Sequence, residues 1–569
     1  MTKKNYNQKI ILMLTGLMLI AATAMLYANE GDDTIFKAMQ DEIGRNMSQL
    51  VMPGLDKPYF ISYTIDDYQN LSVYGTLGTL TNTSLDHGRY LTIDLRVGDN
   101  HLDNSNFVAS SFDRFPHYFR MPIENDYDAI RNQIYLATDG LYKAALKDIS
   151  KKRAYLEAHV IKDRPADLFS LPANKYIGKT EPFDINEGHF DSLVIAATKV
   201  LKEYPMIVSS EMVLNVAADN QYFVNSTGSQ ALRGDRIYTI DLALGAKSPE
   251  GEDFKDSGHI VVKRLDDLPD VKNLTKWVRD YAEKMKALAK AETIDGYTGP
   301  VILEGDAAGE FFRQILAKNI SDAPTPLYEN DDIGNRMTGP ELINKLKRRI
   351  LPEFINVYDD PTIDTLDGYQ LIGGFAVDDA GETPERIQIV QNGKLINLPI
   401  GVTPTKQITE PNGHARGSVG RDIDAKPSNL IIESTDKASA DSLKRAMLQL
   451  CEDGGLDYGI IIRKIDEANS GQGFFFGGSG QAAGLTAPLE AMKVYADGHE
   501  EPLRGLEFSN IIVRILKDIM ITGDKEYCYN YLIGGDNELP VSIIAPSVLV
   551  EEMELKKSEA KIKTPPILP

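Results

Sequence analysis

Arg89-Tyr90-Leu91-Thr92-Ile93-Asp94-Leu95-Arg96-Val97-Gly98 and Arg236-Ile237-Tyr238-Thr239-Ile240-Asp241-Leu242-Ala243-Leu244-Gly245 share the pattern RxxTIDLxxG at an offset of 147 residues. Each copy alternates apolar and polar side chains, as a strand with one buried face requires. The flanking sequence repeats as well. Helix-like segments at Asp33–Leu50 and His189–Glu203 precede the two copies, and others at Tyr127–Lys152 and Leu274–Ala291 follow them. The agreement of strand and flanks predicts a duplicated helix–strands–helix unit.

Beyond Gly296-Tyr-Thr-Gly299-Pro300 the pattern changes. Val301–Leu303 reads as a short buried strand and Asp306–Asn319 as a helix, with a polar loop from Ser321 to Gly339. Tyr369–Ile432 reads as successive strands, with turns at Asp378–Gly381 and at Gln391-Asn392-Gly393-Lys394, where the Asn-Gly pair is a strong hairpin signal. A helix at Ser439–Cys451 and a strand at Tyr458–Ile465 follow. The fold class is α+β in two domains, the first a duplicated helix–strands–helix unit and the second β-rich. The divisions are a signal at 1–28, an N-terminal domain at 29–298 with units at about 29–180 and 181–298, a C-terminal domain at 299–555, and a disordered tail at 556–569.

The chain has 569 residues, 42% hydrophobic and 25% charged, with a formal charge of −22. That length exceeds one compact core and the composition is globular. The acidic balance argues against nucleic acid, whose phosphates need a basic surface. Lys3, Lys4 and Lys9 followed by apolar Ile10–Leu26 and small residues to Ala28 read as a bacterial signal peptide. The expected location is therefore exported, periplasmic or secreted, with no stable membrane span after cleavage; the same segment retained as an anchor is the alternative.

Most catalytic motifs fail on their own chemistry. Gly471–Gly480 lacks the Lys of a phosphate loop and carries three aromatics, so it reads as a turn. Ser479 and Ser418 each miss a glycine of the GxSxG elbow. Cys451 and Cys528 have no activating neighbour and read as structural. The histidines lie at 87, 101, 117, 159, 189, 259, 414 and 499, so no two stand one helical turn apart as a zinc helix needs.

Several ordered segments resemble the TldD/PmbA family, the modulator-of-gyrase proteins. They are Phe223-Val-Asn-Ser-Thr-Gly228, Gly299–Glu304 with Ala307-Ala308, Phe375–Gly381 with Pro384 and Arg386, Gln391–Leu395, Asn412-Gly413, and Pro546–Met553. The resemblance implies a two-domain, dimerising metallopeptidase-related protein. In the family's catalytic branch a helix carries HExxxH, whose histidines bind zinc and whose Glu is the base. Projected here, the ligand positions become Arg313 and Lys318 and the base becomes Gln314. Cations repel Zn²⁺ and an amide takes no proton, so the resemblance is to the PmbA-like branch that lacks the motif, with no cofactor of its own and no catalytic residue. It implies a non-catalytic subunit of an exported peptidase assembly acting on unfolded, extended peptides. The partner would be a TldD-like catalytic subunit or a second copy of the chain. The alternatives are an active hydrolase with a relocated site drawing on Asp378, Asp379, His414 or Glu304, and a stand-alone peptide-binding envelope protein.

Overall fold

The structure is a computed structural model and describes residues 33–109, 117–159, 161–249, 251–321, 326–330, 341–417, 423–467, 484–533 and 539–558. The signal segment, Gly471–Gly480 with Ser479, Ser418 and the tail beyond residue 558 lie outside these residues.

Both copies of the repeated motif fall on the second strand of a long hairpin. Strands β1 (Pro58–Thr76) and β2 (Thr79–Val97) form the first, and β5 (Ile207–Asn225) and β6 (Gln230–Lys247) the second. β1 and β5 pair antiparallel from Ser62↔Asn225 to Gly75↔Met212 and join the two hairpins into one sheet. β3 (Tyr118–Arg120) extends one end, while β4 (Lys175–Ile177) and β7 (Asp253–Val262) both pair with β6.

Among the described residues, helices cover only one face of this sheet. α1 (Thr34–Gln49) packs on β1 and β5, α2 (Tyr127–Ala158) on β2, α3 (Glu187–Thr198) on β1, β2 and β5, and α4 (Val271–Leu288) on β6 and β7. Asp33, Asp126, Asn186 and Asp270 cap their N-termini through side-chain oxygens that accept backbone N–H groups. The alternation of TIDL decides which side chains face inward. Leu91, Ile93 and Leu95 enter a core with Ile35, Met39, Ile130 and Ile134, while Tyr238, Ile240 and Leu242 enter a second core with Val194, Leu274 and Val278. The Thr and Asp of each copy take the opposite, polar face.

The motif arginines have parallel tasks. Arg89 donates to the carbonyl of Pro122 at 3.0 Å and to Asp67 at 2.5 Å, and Arg236 donates to the carbonyl of Pro182 and to Asp184. Each thus fixes the chain that enters a helix.

The C-terminal domain is built on a twelve-stranded sheet. At its centre β8 (Gly296–Leu303) lies between β16 (Leu539–Lys557), antiparallel, and β12 (Tyr458–Ile465), parallel. On one side the path continues through β13 (Pro488–Tyr495) to β14 (Glu500–Leu503), and on the other through β11 (Asn429–Ser434) and β9 (Ile355–Asp359) to β10 (Ile387–Gln391). β15 (Ile519–Ile533) pairs with β16. α5 (Asp306–Phe312) covers one face of this sheet and α6 (Ala440–Asp453) packs on β8 and β12.

Two expectations are corrected. β16 runs to Lys557, so residues 556 and 557 belong to the sheet and not to a tail: Lys556 pairs with Gly296 and Lys557 with Leu506. Among the described residues between Tyr369 and Ile432 the strands are short and separated by irregular backbone. The Asn-Gly hairpin does form, with both Asn392 (φ 47°) and Gly393 (φ 73°) left-handed. A Cβ on Gly393 would stand 2.2 Å from the Leu351 carbonyl.

Leu95 and Leu242, the equivalent leucines of the two copies, are buried in different cores. Leu95→Ala and Leu242→Ala are each expected to cost about 3 kcal/mol. The double variant is expected to be additive to within about 0.5 kcal/mol. Guanidinium unfolding followed through Trp277, the single tryptophan, checks this. Strong non-additivity would contradict two independent cores.

Candidate functional site

The helix that begins at Asp306 carries the positions of interest. Phe311, Phe312, Ile315 and Leu316 are fully buried against the C-terminal sheet and set its orientation. Gly309 permits the closest approach, since a Cβ there would lie 2.3 Å from the Tyr529 Cβ on β15.

The helix is not α-helical throughout. Arg313–Ala317 form a π-turn in which the Lys318 N–H donates to the Arg313 carbonyl, and Lys318–Ile320 then resume the α-form. Residues five apart stand about 140° apart around an α-helix, but i→i+5 bonding brings them nearly into line. A π-turn between positions 313 and 318 is therefore what an HExxxH spacing needs to aim both ends at one ion.

The side chains at these positions part company. Arg313 turns inward and grips Glu310 with two bonds, Nε–Oε2 at 2.6 Å and Nη2–Oε1 at 2.5 Å, and it lies over the Tyr531 ring. Gln314 donates to Glu310 Oε1 at 2.7 Å and to Thr486 Oγ1 at 2.7 Å, and accepts from the Thr486 N–H at 3.0 Å. Lys318 is exposed. The structure thus brings Arg313 and Gln314 together and leaves Lys318 apart. Glu310, 1% exposed, is the centre that reads both, and the sequence reading passed over it. Its only sequence signal is an acid three residues before an arginine on a helix.

The electrostatics follow from burial. Burial alone would lower the Arg313 guanidinium pKa, but bonding to Glu310 holds it above its usual value. The Tyr529 phenol is pushed up by burial and by Glu310. Glu467, reaching in from the end of β12, is raised by burial and by Glu310 and Asp241, with His259 opposing. His259 comes from β7 of the N-terminal domain and bonds Asp241 at 2.6 Å, so the first domain contributes to this centre.

This donor set does not fit zinc. Arg313 and Lys318 offer no lone pair to a cation, Gln314 is saturated, and the Glu310 carboxylate is taken by a guanidinium. Among the described residues, no group of three or more His, Cys, Asp and Glu is placed to hold a metal ion.

The relocated-site residues are structural. His414 is fully buried, with Nε2 2.9 Å from Asp359, and Asp359 accepts from the Ser428 hydroxyl at 2.8 Å. The order Ser–Asp–His puts the carboxylate between the other two, so no imidazole reaches the hydroxyl, and all three are at 0% exposure. Asp378 accepts from the N–H groups of Ala380, Glu382 and Ala415. Asp379 binds Arg233 of the N-terminal sheet and the Gly417 N–H, so this turn joins the domains. Glu304 accepts from Arg463 at 3.2 Å. A solvent-open cleft of about 610 Å³, lined by Asp367, Glu433, Lys437, Asp524 and Lys525, includes no residue of the Asp306 helix.

Residues 296–557 match the PmbA/TldA metallopeptidase C-terminal domain. A protein from Methanothermobacter thermautotrophicus described as a metalloprotease is 24% identical over 302 residues, 52% of this chain and 58% of its own length. The chain thus spans under two thirds of that relative. The fold is similar to that of TldE from Thermococcus kodakarensis (TM-score 0.57, 12% identity, 91% of this chain and 99% of that one). It is also similar to a protein from Thermotoga maritima described as a modulator of DNA gyrase (TM-score 0.57, 15% identity, 91% and 100%). Residues 296–557 thus carry the PmbA/TldA C-terminal domain, and the fold over most of the chain is shared with these proteins.

Two outcomes test the site. Arg313→Ala strands a buried carboxylate and is expected to cost about 3 kcal/mol, whereas Lys318→Ala at the exposed position is expected to stay within about 0.5 kcal/mol; equal losses in denaturant unfolding would contradict the division. Burial pushes Asp378 up to about 7, against its three N–H bonds. A folded pKa above the unfolded value means stability present at low pH and lost as pH rises through 7. Wild type should therefore gain stability relative to Asp378→Asn as pH falls from 8 to 5, measured as the difference in melting temperature. A pH-independent difference would refute this.

Proposed function

We propose that this chain is a non-catalytic subunit of an exported TldD/PmbA-type peptidase assembly, of the branch that lacks HExxxH. The observation that carries the reading is the Glu310–Arg313–Gln314 cluster. It fills the place of a metal centre with a guanidinium already bonded to its carboxylate. The apolar, lysine-headed segment at residues 1–28 supports export.

Extended, unfolded peptides are the ligands this reading assigns. Among the described residues β7 pairs on one side only, with β6. His259 of β7 faces Glu467, and Lys255 of β7 pairs with Asp466 at 2.6 Å, so the strand runs beside the cluster. A peptide added to this edge gains backbone hydrogen bonds independent of its sequence. The chemistry would come from a related chain that carries the histidines, or the assembly would pair two copies of this chain for binding alone.

Co-purification from the native cell, followed by metal analysis, tests this. The lone chain is expected to carry no stoichiometric zinc and to cleave no unfolded peptide, while the native assembly is expected to contain a zinc-bearing partner of the same fold. A chelator-sensitive peptidase activity intrinsic to the purified chain would sink the proposal.

A further inference from the structure

We propose that Tyr68, Tyr90, Asp66, Asp219 and Asp235, on the face of the N-terminal sheet away from the helices, form a subsite for a lysine or arginine side chain, so that basic extended peptides are the favoured ligands. This rests on the peptide-binding reading above and deepens it.

The register places these groups side by side. Gly88, Tyr68, Asp219 and Asp235 form one row across β2, β1, β5 and β6, and Tyr90, Asp66, Gln221 and Arg233 the next. Direct cross-strand neighbours on one face stand about 5 Å apart. Gly88 lets the Tyr68 ring lie flat, since a Cβ there would meet its hydroxyl at 2.8 Å. The Tyr68 and Tyr90 rings are parallel, with centroids 6.0 Å apart, and Tyr118, 47% exposed, continues the row from β3.

The carboxylates beside these rings outnumber the cations near them. Asp219 Oδ1 is buried and, among the described residues, has no hydrogen-bond partner. The charges that face it are Asp66, Asp67 and Asp235, and the guanidinium of Arg233. Arg233 is spent on Asp379 and the Val377 carbonyl of the other domain, and Asp67 is held by Arg89 at 2.5 Å. Lys263 stands 3.9 Å from Asp235 and donates to the Gly374 carbonyl. Asp66 accepts from the Gln221 amide at 2.9 Å, with Arg233 the cation that acts on it. Burial, with Asp66 next, holds the Asp219 carboxyl well above its usual range.

A buried carboxylate needs a proton or a cation. Tyrosine faces attract ammonium and guanidinium groups. An alkyl stem lying across Tyr68 and Tyr90 would deliver its charged head to Asp219 and Asp235, while the half-exposed Asp235 keeps the approach open.

The test is fluorescence anisotropy on the full chain with three labelled peptides of equal length, alike except for alternate Lys, Gln or Glu residues. The Lys peptide is expected to bind about tenfold tighter than the Gln peptide. Asp219→Asn and, as a half-exposed position with little bearing on folding, Asp235→Asn are expected to reduce that preference to about threefold or less while leaving the Gln peptide unchanged. Asp266→Asn, a remote exposed acid, should keep the full preference. Binding of all three peptides alike, or a Lys preference that survives both variants, overturns the subsite but leaves peptide binding intact. Failure of every peptide to bind overturns both readings.

Discussion

The pairing of β1 with β5 is the contact on which the rest of the N-terminal domain depends. Each repeated unit can make a hairpin and two helices, but a lone hairpin under two helices leaves a long unpaired edge. Antiparallel pairing of the two copies removes that edge and forces all four helices onto one face. Leu71 and Val73 of the first unit enter the second core, and Tyr222 and Val224 of the second unit enter the first. The duplication is therefore a sheet-building device, and its by-product is a wide face with no helix of the described residues over it.

That uncovered face is where the two domains meet. Arg233 reaches from it to Asp379 and Val377, and Asn174 donates to the Gly381 carbonyl at 2.8 Å, while on the helix side of the sheet Lys464 donates to Asp256 at 3.0 Å beside Tyr281. The Glu310 cluster sits at the same junction, with His259 and Asp241 approaching from the sheet. A buried carboxylate is tolerated there because a bidentate guanidinium and an amide satisfy it. The same satisfaction removes it from metal chemistry.

Much of this architecture was legible along the chain. The repeated strand, its flanking helices, the Asn-Gly hairpin and β12 at Tyr458–Ile465 follow from periodicity and turn chemistry, which are local. The degenerate positions Arg313, Gln314 and Lys318 were legible through resemblance. Glu310 was not, because its burial depends on strands far along the chain, among them the one that carries Tyr529. His414, a candidate together with Asp378, Asp379 and Glu304 for a relocated site, is wholly enclosed by packing.

The sequence by itself determined the secondary elements, the duplication and the absence of paired histidines, since each depends on residue type and spacing. Only the tertiary structure decided that the two copies share one sheet, that a π-turn links positions 313 and 318 while their side chains part, and that Asp219 Oδ1 lies buried near Tyr68 with no hydrogen-bond partner among the described residues. Those outcomes depend on strand register and burial. Both are fixed by contacts between residues more than a hundred positions apart, and no local pattern encodes them.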